Sequence, residues 1–260
     1  MLVAAHRRRA AQSLLEAEAA VRPVTTLAAA YPAIELADAY AIQSLALAAK
    51  RQQGARLCGH KVGLIAPGRR PRDGAREPIR GRLLDHMLVP NGATVDTARL
   101  IAPRVEVELA FVLGHRIEGS YTTLAKILAA TDHVAAALDV SDGRVRPARS
   151  LIDTVADNDC AAAVVLGGYR AKPEEVDLRW AGAILYRNRV AQESGIAGAN
   201  LEHPAQSLVW LADDLSRQGE ALEPGDVLLA GAFARPVAVR KGDTVYADFG
   251  SLGAISLHFG

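Results

Sequence analysis

The stretch PRVEVELAFVL, residues 103–113, carries the pattern on which our assignment of the fold depends. Its residues alternate as in a β-strand, and Glu106 and Glu108 share one face because side chains two positions apart point the same way. The chain then becomes wholly apolar from Ala110 to Leu113. On an ordinary amphipathic strand, such a glutamate pair forms the solvated face of an antiparallel sheet.

Three features favour the opposite interpretation, in which the glutamate pair faces inward. The flanks of the pair are too apolar for a fully solvated strand, and Asp139 ends a second apolar run, HVAAALDV (133–140). Lys61 lies within GHKVGL (59–64), an apolar run in which an ammonium group is costly to bury without a partner. The sequence therefore predicts that three carboxylates and one lysine converge inside the protein.

Converging carboxylates repel one another unless a cation lies between them. Oxygen ligands suit the hard ions Mg²⁺ and Mn²⁺, whereas zinc prefers the His and Cys side chains that this group lacks. The charges of Glu106, Glu108 and Asp139 nearly balance those of one dication and Lys61. We therefore predict a Mg²⁺ or Mn²⁺ site with these three ligands.

The composition limits the classes of function. The 260 residues include 30 basic and 29 acidic ones, so the net charge of +1 gives no electrostatic support for nucleic-acid or membrane binding. The two cysteines, Cys58 and Cys160, lack metal-site spacing and are interpreted as reduced core residues of a cytoplasmic protein. No GxGxxG, Walker or GxSxG motif supports nucleotide binding or serine hydrolase chemistry.

The order of helical and β-type segments predicts an α+β fold. Residues 1–56 have the composition of a helical N-terminal region, and 57–260 form a β-rich catalytic body that works with it as one functional unit. The Gly-, Pro- and Arg-rich segment 66–81 is predicted to be a mobile loop, which is a candidate lid. The other expected elements are strands at 57–65, 104–113, 133–140, 160–168 and 180–188, four short β-type runs after 225, and helices at 36–53, 122–132 and 204–219.

Several motifs, in order along residues 22–260, resemble the 2-oxo-acid hydratase and decarboxylase branch of the fumarylacetoacetate hydrolase superfamily. They are GHKVGL, PRVEVELAFVL, ALDVSDGRV, IDTVADN and RPVAVRKGDTVYADFGSLGAISLHF. Within the branch, DLRWAGAILYRN, HPAQSLVWLA and GAFARPVAVRKGD are most similar to 2-oxo-hept-4-ene-1,7-dioate hydratases, which act in meta-cleavage catabolism of aromatic compounds.

The resemblance implies a mixed, rolled β-sheet body, a Mg²⁺ or Mn²⁺ requirement, a small 2-oxo-acid substrate and a homo-oligomer that associates with a related decarboxylase. It places the metal ligands on the same three carboxylates and the catalytic lysine on Lys61. The backbone that binds the substrate carboxylate falls on Gly63 and Leu64. For the distal carboxylate of a diacid, Arg80 and Arg235 are candidates, with a solvated basic surface as the alternative.

The sequence also departs from the pattern of this branch. Asp139 stands where the family usually has Glu, and Asp159 and Cys160 follow DTVADN where small residues are usual. Hydratases tend to read EPDYG where this chain reads EPIRG, so Ile79 replaces an acidic residue, and decarboxylases tend to have Pro-Ile there. Hydration, decarboxylation and a non-catalytic partner subunit therefore stay open, while the His-x-x-Glu arrangement expected for acylpyruvate hydrolysis is not found.

Overall fold

The structure is a computed structural model that describes residues 1–63, 78–146, 150–199 and 201–260. Leu64, one of the predicted substrate-binding residues, and residues 66–77 of the predicted loop lie outside the described residues. The end of that loop prediction is wrong, because residues from Ile79 onward form a regular strand that pairs with the strand at 57–63.

Helices account for nearly all of the regular structure before residue 57. Asp38 in the first turn of the second long helix accepts a hydrogen bond from the backbone N–H of Glu35 at 3.0 Å, which satisfies one donor at the helix start. Gly219 follows the last helix with a φ of 72°, as a helix stop requires. The helices are α1 (Ala4–Ala19), α2 (Leu27–Ala30), α3 (Leu36–Gln52), α4 (Leu124–Ala130), α5 (Leu151–Ala156) and α6 (Gln206–Ser216).

The strands of the described chain form two sheets. They are β1 (Leu57–Gly63), β2 (Ile79–Leu84), β3 (Leu88–Val89), β4 (Thr94–Val95), β5 (Arg104–Leu113), β6 (Thr131–Ser141), β7 (Ala161–Leu166), β8 (Gly182–Arg187), β9 (Val190–Ile196), β10 (Val227–Leu229), β11 (Val237–Ala238), β12 (Thr244–Asp248) and β13 (Ala254–Phe259). The expected strand at 104–113 is confirmed at both ends.

The larger sheet has the order β2-β1-β10-β5-β6-β7-β3, with β11 added beside β5. It is mixed, because β1 runs parallel to β10 whereas β5 runs antiparallel to both β10 and β6. Strand β2 contacts strand β7 although four strands separate them in the hydrogen-bonded order. This contact requires a curled sheet, so the prediction of a rolled, mixed sheet in an α+β fold is confirmed.

The second sheet, in the order β4-β13-β12-β8-β9, covers one face of the curled sheet. Val107 on β5, Leu185 on β8 and Leu257 on β13 belong to one hydrophobic cluster, which also includes Leu208 and Leu211 of α6. The two sheets and α6 therefore share a core on the face of β5 that lies opposite the glutamate pair.

The N-terminal helices pack against a different part of the molecule. Ala10 of α1 and Ile42 of α3 share a hydrophobic cluster with Ile79 of β2 and Val155 of α5. The helical region is thus joined to the β-rich body by apolar burial, and the expected boundary at residue 56 stays a prediction. Within the described residues, no helix is long and apolar enough to cross a membrane.

Candidate metal centre and active site

Neighbouring strands β5 and β6 bring the three predicted metal ligands together. Glu106 lies directly opposite Asp139 in the antiparallel register, and Glu108 lies opposite Ala137. Because side chains at opposite positions and at positions two apart share a face, all three carboxylates point to the same side of the sheet. One oxygen from each carboxylate lies within 4.8 Å of the others, which is close enough for a single ion to bind all three.

The three carboxylates are largely shielded from solvent. Asp139 is fully buried, Glu108 is buried, and Glu106 is partly exposed. The backbone N–H of Gly231 donates a hydrogen bond to Glu108 Oε2 at 2.8 Å. Burial, followed by the charge of Asp139, nevertheless raises the pKa of Glu108 well above its ordinary range.

Lys61, predicted to be catalytic, supplies the positive charge at this site. Its Nζ donates to Asp139 Oδ2 at 2.5 Å and to the backbone carbonyl of Asp159 at 3.1 Å, and the side chain is almost fully buried. Burial favours the neutral amine, but Asp139, Asp159 and the two glutamates outweigh it and raise the pKa of Lys61 above its ordinary value. The structure therefore joins the predicted lysine and carboxylates in one group.

The residues around Lys61 are small or firmly held. Gly63 ends β1 opposite Ile79, and a Cβ atom at Gly63 would lie only 2.6 Å from Asp159 Oδ2. Ile79 is buried within the cluster of the N-terminal helices. Gly63 thus leaves room for the Asp159 carboxylate, and its predicted contact with substrate stays a prediction, as does that of Leu64.

A buried ion pair braces the turn that carries Asp159. Arg144 Nε donates to Asp157 Oδ1 at 2.5 Å, and its backbone N–H donates to the other carboxylate oxygen at 2.7 Å. Asp142, which is closer to Arg144 in the chain, instead accepts hydrogen bonds from the backbone N–H groups of Ile101 and Ala102. Arg144 therefore stabilises the turn that carries Asp159 by binding Asp157, without belonging to the group around Lys61.

Sequence reasoning gave Asp159 no role at the site. The structure places its carboxylate 3.5 Å from Lys61 Nζ, with the side chain only 12% exposed. The one signal in the sequence was the departure from the small residue that is usual after DTVADN.

The two arginines predicted to bind substrate do not join this group. Arg80 lies opposite Val62 in the β1–β2 register, one position away from the Lys61–Gly81 pair, so its side chain starts on the other face of the sheet. Its buried guanidinium forms an ion pair with Asp214 of α6 and lies 4.4 Å from the centre of the Tyr40 ring. These contacts engage the charge of Arg80 in the fold and argue against its predicted contact with a substrate carboxylate, which stays a prediction.

Arg235 has a different environment. It lies in the loop between β10 and β11, is exposed, and forms an ion pair with Glu193 of β9 at 2.9 Å. Its predicted contact with a distal substrate carboxylate stays a prediction.

The donor set fits a hard divalent ion. All three ligands offer carboxylate oxygen, which Mg²⁺ and Mn²⁺ prefer. Asp139 Oδ1 is buried and forms no hydrogen bond to any residue that the structure describes, so one oxygen of the group lacks a donor where a cation would provide one. One lysine does not balance three converging carboxylates, and this excess negative charge favours a cation.

Comparisons with known proteins agree with this arrangement. A 2-oxo-hept-4-ene-1,7-dioate hydratase from Escherichia coli is 42% identical over 257 residues, covering 96% of each chain. A 4-oxalocrotonate decarboxylase from Pseudomonas sp. (strain CF600) is 33% identical over 250 residues, covering 96% of this chain and 95% of the relative.

A solved structure extends the likeness to the whole chain. The 4-oxalocrotonate decarboxylase from Pseudomonas putida G7, complexed with magnesium and adipate, superposes with a TM-score of 0.96 at 31% identity, covering 100% of this chain and 99% of that chain. The family model for the fumarylacetoacetate (FAA) hydrolase C-terminal region matches residues 77–259. The chain therefore belongs to the fumarylacetoacetate hydrolase family.

Proposed function

We propose that this protein is a metal-dependent hydratase that adds water to a 2-oxo-alkenedioate of the 2-oxo-hept-4-ene-1,7-dioate type, in the meta-cleavage catabolism of aromatic compounds. The observation that carries the proposal is the buried group of three carboxylates and Lys61 on one face of the curled sheet. The 42% identity to the Escherichia coli hydratase over nearly the whole chain supports hydration as the reaction.

Glu106, Glu108 and Asp139 would hold Mg²⁺ or Mn²⁺ in this enzyme. When bound, such an ion supplies Lewis acidity that stabilises negative charge on the 2-oxo oxygen of the substrate. The magnesium and adipate in the Pseudomonas putida G7 structure support a dicarboxylic substrate here, because adipate is itself a six-carbon diacid.

Lys61 is the group of this chain that can move a proton at the site. Its ammonium is buried beside Asp139, where a proton donor or acceptor acts on a substrate without competition from bulk water. Loss of a proton from carbon 3 of the substrate forms the dienolate, and return of a proton at carbon 5 gives the alkene that is conjugated with the 2-oxo group. We assign both transfers to Lys61: a dication beside it would favour its neutral amine, which takes the proton from carbon 3 and returns one at carbon 5. Water then adds its oxygen at carbon 4 and a proton at carbon 3.

Decarboxylation is the second candidate, and a specific observation favours it. Ile79 places a buried aliphatic side chain where hydratases of this branch tend to have an acidic one. The superposition on the Pseudomonas putida G7 decarboxylase, with its TM-score of 0.96, supports the same alternative. Both reactions use one stabilised dienolate, so the metal centre is common to them. A chain without catalysis that serves as a partner subunit is the third candidate.

One assay separates these functions. Purified protein is incubated with Mg²⁺ or Mn²⁺ and either 2-oxo-hept-4-ene-1,7-dioate or 4-oxalocrotonate, while conjugated absorbance and released CO₂ are measured. Loss of absorbance without CO₂ supports hydration, whereas CO₂ release contradicts it in favour of decarboxylation. A protein that binds metal but turns over neither substrate is a partner subunit. The Glu108→Gln variant, which lacks one of the three proposed metal ligands, serves as the negative control.

The remaining expectations belong to the same proposal. We infer a cytoplasmic homo-oligomer that associates with a related decarboxylase, a type of protein represented among its relatives. Light scattering of the protein alone, and after mixing with such a decarboxylase, tests both associations. A monomer at micromolar concentration, or two separate species in the mixture, would contradict them.

A further inference from the structure

Three consecutive residues after α5 have a left-handed backbone. The φ angles of Asn158, Asp159 and Cys160 are 54°, 48° and 56°. Residues with a side chain adopt this region rarely, and usually singly, because Cβ crowds the carbonyl oxygen. Such conformations persist only where the surroundings fix them, and they concentrate at functional sites.

The residues on either side of Asp159 are fixed by hydrogen bonds. The Asn158 side chain accepts from the backbone N–H of Arg82 at 2.8 Å and donates to the carbonyl of the same residue at 2.9 Å. The Cys160 carbonyl accepts from the backbone N–H of Asp142 at 2.8 Å. The turn is thus attached to β2 on one side and to the chain after β6 on the other, which fixes the direction of Asp159.

The turn directs Asp159 into a space that two glycines leave open. A Cβ atom on Gly63 would lie 2.6 Å from Asp159 Oδ2, and a Cβ atom on Gly81 would lie 3.1 Å from Asp159 Cβ. Gly63 and Gly81 lie on the paired strands β1 and β2, on the same face as Lys61. The side chain of Asp159 therefore covers the β1–β2 pair beside the lysine.

Lys61 consequently has two carboxylates within ion-pair distance. Its Nζ lies 2.5 Å from Asp139 and 3.5 Å from the carboxylate of Asp159, while the Asp159 carbonyl accepts a hydrogen bond from it. Asp139 is also one of the three carboxylates that can hold a metal. The lysine and a metal ion would therefore compete for Asp139. Asp159 lies beside the lysine but does not belong to the group of three carboxylates that can hold the metal.

We propose that Asp159 is a positioning residue for the metal centre: it supplies a second partner for the Lys61 ammonium, so that Asp139 can serve the metal ion. This inference rests on the metal binding in the proposed function. Asp159 acts through Lys61 and holds the ammonium beside the site. Its removal leaves Asp139 as the one carboxylate partner of Lys61 in the described site, and metal affinity falls.

The test measures Mn²⁺ affinity by isothermal titration calorimetry at fixed pH. Asp159→Asn is expected to weaken Mn²⁺ binding about tenfold, because Asp139 must then serve both the Lys61 ammonium and the metal ion. Asp132→Asn is the matched control, because it removes the same charge from an exposed carboxylate near the start of β6 and leaves the affinity unchanged. An unchanged affinity in Asp159→Asn would overturn the inference.

A double-mutant cycle separates an action through Lys61 from the charge of Asp159 alone. In a Lys61→Met background there is no ammonium to share, so adding Asp159→Asn is expected to change the Mn²⁺ affinity less than about twofold. A tenfold loss in that background would overturn the inference. Unfolding curves recorded in chelator show whether each variant folds, and Asp159→Gly, which suits the left-handed backbone, replaces Asp159→Asn if that variant does not fold.

The outcomes also separate this inference from the proposed function. Wild-type protein that binds no Mn²⁺ would overturn the proposed metal centre, and this inference with it. Wild-type protein that binds Mn²⁺ and turns over substrate, while Asp159→Asn binds equally well, would overturn the role of Asp159 and leave the proposed function intact.

Discussion

Lys61 Nζ lies 2.5 Å from Asp139 Oδ2, although 78 residues of chain separate them and two strands, β10 and β5, lie between theirs in the sheet. In a flat sheet, three strand spacings of about 4.8 Å would keep the two backbones far apart. The curl of the sheet, together with the long lysine side chain, closes this distance. The geometry of the sheet therefore creates the pair of charges at the centre of the proposed site.

Lys61→Met should greatly reduce turnover without weakening metal binding. We expect kcat to fall by at least about 10²-fold, because general acid–base groups contribute that much or more. Lys172→Met is the matched control, since Lys172 forms an exposed ion pair with Asp132 outside the site. Steady-state kinetics and Mn²⁺ titration measure both effects. Full activity in Lys61→Met would remove the lysine from the mechanism.

Glu108→Gln should reduce the stabilisation of the fold by added metal. Without metal we expect the variant to be at least as stable as wild type, because the substitution removes a carboxyl group whose charged form is disfavoured by burial and by Asp139. At metal concentrations of about 100 Kd, the free energy of unfolding of the wild type should increase by about 2.7 kcal/mol. Thermal unfolding with chelator and with Mn²⁺ measures the difference. An equal increase in the variant would show that Glu108 is not a ligand.

Arg80→Met should destabilise the fold and leave the KM unchanged. The guanidinium is buried and paired with Asp214, so its loss leaves a poorly solvated carboxylate and should cost about 3 kcal/mol. Arg217→Met is the control, because Arg217 contacts the same Asp214 from an exposed position and should cost under about 1 kcal/mol. Urea unfolding and substrate kinetics test this. A raised KM with normal stability would support the assignment of Arg80 to substrate binding.

His60 should make the protein sensitive to acid. Burial, and then the charge of Arg82, lower the pKa of His60 to about 3, compared with 6.5 for an ordinary histidine. Between these pH values the unfolded chain binds a proton that the folded chain does not, so the free energy of unfolding decreases as the pH falls from 6.5 towards 3. The full difference corresponds to roughly 5 kcal/mol.

Replacement of His60 isolates this contribution from other acid-titrating groups. His60→Gln should lose less stability than wild type between pH 6.5 and pH 4, as measured by urea unfolding at several pH values. His86→Gln provides the matched control, because His86 is exposed and should keep the wild-type pH dependence. Parallel curves for wild type and His60→Gln would contradict the prediction.

The grouping of the carboxylates could be predicted from the sequence, because strand periodicity is a local property. Alternation placed Glu106 and Glu108 on one face, and the structure has them there on the expected strand. The apolar run before Asp139 indicated a second buried strand, and Asp139 lies directly opposite Glu106 on β6. The burial cost of an unpaired ammonium pointed to a partner for Lys61, and that partner is Asp139.

The errors arose where a residue's role depends on distant parts of the chain. Arg80 was assigned to a loop from its Gly- and Arg-rich surroundings, but pairing with β1 makes it part of β2 and the register turns it towards α6. Asp159 received no role at the site, because no local pattern places a left-handed turn over two glycines on other strands.

By itself, the sequence determined which side chains offer carboxylate oxygens and an ammonium group, and that the two glutamates share a face of one strand. These are properties of residue type and of a two-residue repeat. Only the tertiary structure decided that β1 curls towards β6, that Arg80 is committed to Asp214, and that Asp159 reaches Lys61. Such contacts depend on the twist and register of strands far apart in the chain, which no short segment specifies.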